Sequence, residues 1–79
     1  MDLFEAIKIK INNLMIERNL TASKLSTLAG ISRSTLSKFM SGKRKSLDLK
    51  TIEFICEGLN IKLKDFFSDS LFDNIDIKD

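Results

Sequence analysis

The sequence predicts an all-α fold, a compact set of five short helices, and three observations predict it. Apolar residues recur at spacings of three and four through most of the 79 residues, the period of a helix face. Residues whose side chains cap helices (Asp2, Thr21, Ser32 and Ser46) stand just ahead of four of these runs. Gly30, Gly42 and Asn60 stand just behind three of them, where a chain leaving a helix often turns left-handed, and no proline interrupts any run.

The first helix opens with Asp2 and Glu5, spaced as a capping box, and runs to about Arg18. Phe4, Ile7, Ile11, Leu14 and Met15 form its apolar face, while Lys8, Asn12 and Asn13 face elsewhere, so it reads as scaffold. Thr21 starts the second helix, in which Leu25, Leu28 and Ala29 follow the helical period and Ser26 is small enough for a neighbouring helix to approach. Gly30 supplies a turn with positive φ, Ile31 anchors that turn to the core, and Ser32 caps the third helix, about Arg33 to Ser41. Leu36, Phe39 and Met40 are its buried edge, and Gly42 closes it. Two short helices joined through a glycine-containing turn form a helix-turn-helix. The loop Lys43-Arg44-Lys45 leads to Ser46 and a fourth helix, about Leu47 to Leu59, burying Leu49, Ile52, Ile55, Cys56 and Leu59. Gly58 weakens that helix by roughly 1 kcal/mol relative to alanine. A short fifth helix carries Leu63, Phe66 and Phe67.

Residues 1–67 thus make one domain, and 68–79 form an acidic-apolar tail. Two readings of the tail stand side by side: a frayed end, or a dimer contact through Leu71, Phe72, Ile75 and Ile77, with Ile75-Asp76-Ile77 alternating like a strand.

Composition narrows the function classes. Hydrophobic content of 43% is that of a globular domain, and a chain this short buries only about 60% of its unfolded surface. The lone Cys56 excludes an internal disulfide, and it falls on the apolar stripe of the fourth helix as a small core residue. The N-terminus lacks the basic and apolar regions of a signal peptide, and no apolar run is long enough to span a bilayer, so the expected location is cytoplasmic with no membrane partner. With no histidine, the commonest general base and zinc ligand are both absent, and no base neighbours the hydroxyls of residues 32–41. An enzyme is not expected, nor a metal site, a cofactor or a small-molecule effector domain.

The formal charge of +2 hides a partition. From Arg18 to Leu47 there are seven basic residues and no acidic ones, whereas the rest of the chain holds six basic and eleven acidic. The acid-free window coincides with the helix-turn-helix and its exit loop, the charge pattern of a nucleic-acid contact. On the third helix Arg33, Ser34, Ser37 and Lys38 make up a polar, carboxylate-free face opposite the buried edge.

Leu20, Leu25, Ser26, Gly30, Ile31, Ser32, Leu36, Phe39, Gly42 and Lys43, in this order and spacing, resemble the Cro/repressor-type helix-turn-helix family, also called the xenobiotic-response-element family. The likeness continues through Ser46-Leu47-Asp48, Thr51-Ile52, Ile55-Cys56, Leu59 and Asp65-Phe66-Phe67, covering about residues 4–67. It implies a lambda-repressor-like fold and a sequence-specific, double-stranded-DNA-binding transcriptional regulator, a repressor, acting as a homodimer. By the resemblance Arg33, Ser34, Ser37 and Lys38 fall at base-facing positions of a helix lying in the major groove, and Thr35 can reach a base or the backbone. Lys43, Arg44 and Lys45 are expected at phosphates, with Thr21 and Ser23 available at the start of the second helix. Ala22 stands where the family often has a glutamine that bridges phosphate and recognition helix, so that contact is absent here. The alternative reading is an interaction module that keeps the fold and binds protein, as an antitoxin-like partner does.

Overall fold

Four side chains start helices by accepting backbone N–H groups that have no partner within the first turn. Asp2 accepts from Phe4 and Glu5 at 2.8 and 3.0 Å and opens α1, Leu3–Glu17. Thr21 Oγ1 accepts from Lys24 N at 3.1 Å and opens α2, Ala22–Ala29. Ser32 Oγ accepts from Thr35 N at 3.0 Å and opens α3, Arg33–Met40. Asp48 Oδ1 accepts from Thr51 N at 2.8 Å and opens α4, Leu49–Leu59. A one-turn α5, Leu63–Phe66, and a 3₁₀ helix, Ser70–Phe72, complete the order. The computed structural model describes residues 1–76, and among these there is no strand.

The start of α4 corrects the sequence expectation. The cap is Asp48 rather than Ser46, whose carbonyl instead accepts from Arg44 Nε at 2.9 Å in the loop before it. The helix begins two residues later with the same face inward, Ile52, Ile55, Cys56 and Leu59, but Leu47 is buried ahead of it and Leu49, expected in the core, is 67% exposed in its first turn. Leu28 is a second departure, 45% exposed, because α2 buries Leu25, Ser26 and Ala29 instead.

Three helices end alike. Asn19, Gly30 and Asn60 have φ of 57°, 68° and 57°, and the residue after each returns its N–H to a carbonyl of the last turn. These bonds are Leu20 N to Met15 O at 2.8 Å, Ile31 N to Ser26 O at 3.1 Å and Ile61 N to Cys56 O at 2.9 Å. This is the Schellman motif, whose apolar residue after the left-handed position packs back on the domain. Leu20, Ile31 and Ile61 do so, each half-buried against the core.

The core runs through all five helices, with Ile7, Ile11, Leu25, Leu36, Phe39, Ile55 and Phe66 fully buried. Two backbones come close at Gly58. A β-carbon there would stand 2.8 Å from the carbonyl of Leu28 and from Ala29 N, so α2 and α4 meet where α4 has no side chain.

The segment beyond α5 is folded onto the domain. The ring of Phe72 lies 5.0 Å from that of Phe67 and 6.1 Å from that of Phe66. Lys10 Nζ on α1 meets Asp69 Oδ2 at 3.0 Å, and Asp76 N donates to Met1 O at 2.9 Å. Leu71, Phe72 and Ile75 are half-buried, Phe72 against the core, and no strand forms at Ile75-Asp76. Ile77 lies outside the described residues.

Candidate nucleic-acid interface

Burying Leu36 and Phe39 fixes which side of α3 meets solvent. Arg33, Ser34, Ser37 and Lys38 are all exposed, and their spacing of one and four residues puts them on one face. Thr35 is half-buried, and its hydroxyl lies 3.0 Å from Ser32 Oγ, within the helix cap. That hydroxyl is therefore occupied locally, unlike those of Ser34 and Ser37.

The basic loop is tied to the end of the same helix. Gly42 has φ 85°, which turns the chain, and its N–H donates to Phe39 O at 3.2 Å. Arg44 N then donates to Lys38 O at 3.0 Å, folding the loop back on the last turn of α3. Lys43, Arg44 and Lys45 are exposed there. With Nε bonded to the Ser46 carbonyl, the two terminal nitrogens of the exposed Arg44 remain as donors for an anion.

Thr21 and Ser23 are exposed at the start of α2, and Lys24 stands beside them. Lys24 is not among the residues expected at phosphates, although it is the only cation on α2. Ala22 is half-buried against the core, so the first turn of α2 presents Thr21, Ser23 and Lys24 to solvent and no amide.

Arg18 leaves the group. Its guanidinium donates to the carbonyl of Leu59, joining the end of α1 to the end of α4. The six remaining cations of the acid-free window, on α2, α3 and the loop, form no ion pair among the described residues. Asp48, the nearest carboxyl in sequence, is held below the usual carboxylate range by hydrogen bonds from Thr51 and, less, by Arg44. The surface is thus a set of unpaired cations and hydroxyls around one exposed helix, the electrostatic form of a phosphate-backbone contact.

Residues 10–70 match the Cro/C1-type helix-turn-helix DNA-binding domain. The chain belongs to that family. The match takes in α2, α3, the basic loop and α4 whole. The chain is also 37% identical over 54 residues to YozG, an uncharacterized HTH-type transcriptional regulator of Bacillus subtilis (strain 168). That alignment covers 68% of this chain and 64% of the relative, so the chain spans a little under two thirds of that protein's length. No solved structure matches it. As a member of that family the chain carries a Cro/C1-type DNA-binding domain, with α2 and α3 as its helix-turn-helix.

Cys56 is buried, and burial pushes its thiol above the ordinary value, away from the reactive thiolate. Among the described residues no group of three His, Cys, Asp or Glu is placed to hold a metal ion. No helix among them is long and apolar enough to cross a membrane.

Proposed function

We propose that this regulator is a repressor that binds double-stranded DNA as a homodimer, reading the major groove with α3. The observation that carries the reading is the exposed face of Arg33, Ser34, Ser37 and Lys38, free of carboxylates and continuous with the Lys43-Arg44-Lys45 loop. Arg33 and Lys38 present donors suited to the O6 and N7 acceptors of guanine, while Ser34 and Ser37 can pair with any base edge. Lys43, Arg44 and Lys45 hold the backbone beside α3, and Thr21, Ser23 and Lys24 hold it at the start of α2. Thr35 acts in the cap, and through it in the placement of Arg33 and Ser34. Occupying a groove excludes other proteins from the same base pairs, so repression is the outcome that binding alone produces. It takes place in the cytoplasm, with no small-molecule effector bound by this segment.

Pairing of copies is proposed from the economy of DNA contact. One recognition helix covers a small patch, and two copies joined by a two-fold axis double it. A copy measures 35 × 26 × 21 Å, so two seated one duplex turn apart, about 34 Å, stand close enough to touch. Among the described residues Ile16, Leu49 and Leu28 are the most exposed large apolar side chains, and Leu71 and Ile75 are half-buried, so either group can supply the contact.

Selecting bound sequences from a random duplex pool tests the reading. The expected product is an inverted repeat with half-sites about 34 Å apart or a multiple of that. A pool that stays random after repeated selection would sink the base-reading role, and a single unrepeated site would sink the dimer.

A further inference from the structure

We propose that Lys8, on α1, is a further contact to the DNA backbone, so that the first helix takes part in binding as well as in the scaffold. The inference rests on the DNA-binding reading above. Lys8 is half-buried, and its ammonium lies 3.9 Å from where a β-carbon of Gly42 would stand, against the turn that leads from α3 into the basic loop. It lines a surface hollow of about 350 Å³ together with Arg44 and Lys45, whose floor is Phe4 and Phe39. Three cations from two separate parts of the chain therefore converge on one opening.

What sets Lys8 apart from Lys10 on the same helix is that it has no partner among the described residues. Lys10, two residues on, is paired with Asp69, and Lys50 with Glu53. Lys8 forms no hydrogen bond or ion pair with any described residue, although Glu5 shares the rim of the hollow and Asp2 lies there capping α1. An ammonium that no described side chain neutralises, set beside Arg44 and Lys45 on the same opening, is placed to meet an anion arriving from outside. The anion that DNA brings to the end of α3 is a backbone phosphate, and a lysine meets it as a point charge that needs no fixed geometry. The contact adds affinity and salt dependence without sequence preference.

Binding of the full chain to the selected duplex and to a random duplex is measured across a salt series, for the wild type, Lys8→Ala, Lys8→Arg and Lys43→Ala. Lys8→Ala should weaken both duplexes by the same factor and lower the salt slope by about one unit, as Lys43→Ala does, while Lys8→Arg keeps the slope. A Lys8→Ala protein with the wild-type slope, alongside a reduced slope for Lys43→Ala, overturns the Lys8 contact and leaves the DNA reading intact. Lower affinity with an unchanged slope also overturns it, because that is the mark of a distorted fold. A wild type that binds neither duplex overturns both.

Discussion

Glycine is needed at position 30 for its backbone and for nothing else. A β-carbon there would meet nothing within 4 Å, so the constraint is the φ of 68° alone. Asn19 and Asn60 hold nearly the same conformation at the ends of α1 and α4, which shows that asparagine is accepted in this setting. Gly30→Asn should therefore melt close to the wild type. Gly30→Val, β-branched, should lose about 1–2 kcal/mol, and chemical denaturation of the two variants side by side checks the difference. A second residue-scale prediction separates reading from holding. Arg33→Ala should cost roughly 1–3 kcal/mol on the selected site, relax preference at one base pair, and weaken binding to random DNA much less. Lys43→Ala, Arg44→Ala and Lys45→Ala should each weaken all sequences about equally. Equal loss on both DNAs for Arg33→Ala would show that it touches only the backbone.

At the scale of the element, Gly58 shows how packing overrules propensity. In an isolated helix alanine would be better there by about 1 kcal/mol. In the fold the added carbon would lie 2.8 Å from backbone atoms of Leu28 and Ala29, which have no rotamer to change. Overpacking of this kind costs typically 1–3 kcal/mol, so against the propensity gain Gly58→Ala should be a net loss of up to about 2 kcal/mol, read as a fall of roughly 4–8 °C in Tm per kcal/mol. A rise in Tm would mean that α2 and α4 are further apart than they stand here. The same helix shows what was legible in the sequence. Existence and order of the five helices followed from apolar spacing, and Thr21, Gly30, Ser32 and Asn60 marked real ends because cap and left-handed signals are local. Ser46 and Asp48 are both capping residues two positions apart, and no local rule decides between them. The choice is made by burial of Leu47 and by the turn of Arg44 onto Ser46, which are tertiary facts. For the interface, the face of α3 was legible because it is the complement of Leu36 and Phe39, whereas Lys8 was not, because only the fold brings α1 beside Gly42.

For the whole molecule, residues 69–76 lie on the helical domain through contacts that are electrostatic as well as apolar. Asp69 accepts from Leu71 N at 3.0 Å, starting the 3₁₀ turn, and meets Lys10 on α1 at 3.0 Å. These hydrogen bonds, the backbone one first, hold its carboxyl below the usual carboxylate range. A carboxyl lowered in the folded state favours folding when ionised. Its contribution is complete above the ordinary value of about 3.9 and disappears as pH falls through the lowered folded one. Asp48 is lowered too, so acid should loosen α4's start and the C-terminal segment over the same range. Asp69→Ala removes the segment's share of that dependence and Asp48→Ala the helix's, so each should flatten part of the fall in Tm between about pH 5 and pH 2. Asp69→Asn keeps an acceptor for Leu71 N–H but loses the ion pair, and should fall between the wild type and Asp69→Ala at neutral pH. Hydrogen exchange at Leu71 and Phe72 locates the effect: both amides should exchange faster in Asp69→Ala while those of Leu36 and Phe39 keep pace with global stability. If the acid limb of Asp69→Ala coincides with that of the wild type, the Phe66–Phe67–Phe72 cluster alone holds the segment and its attachment is independent of charge.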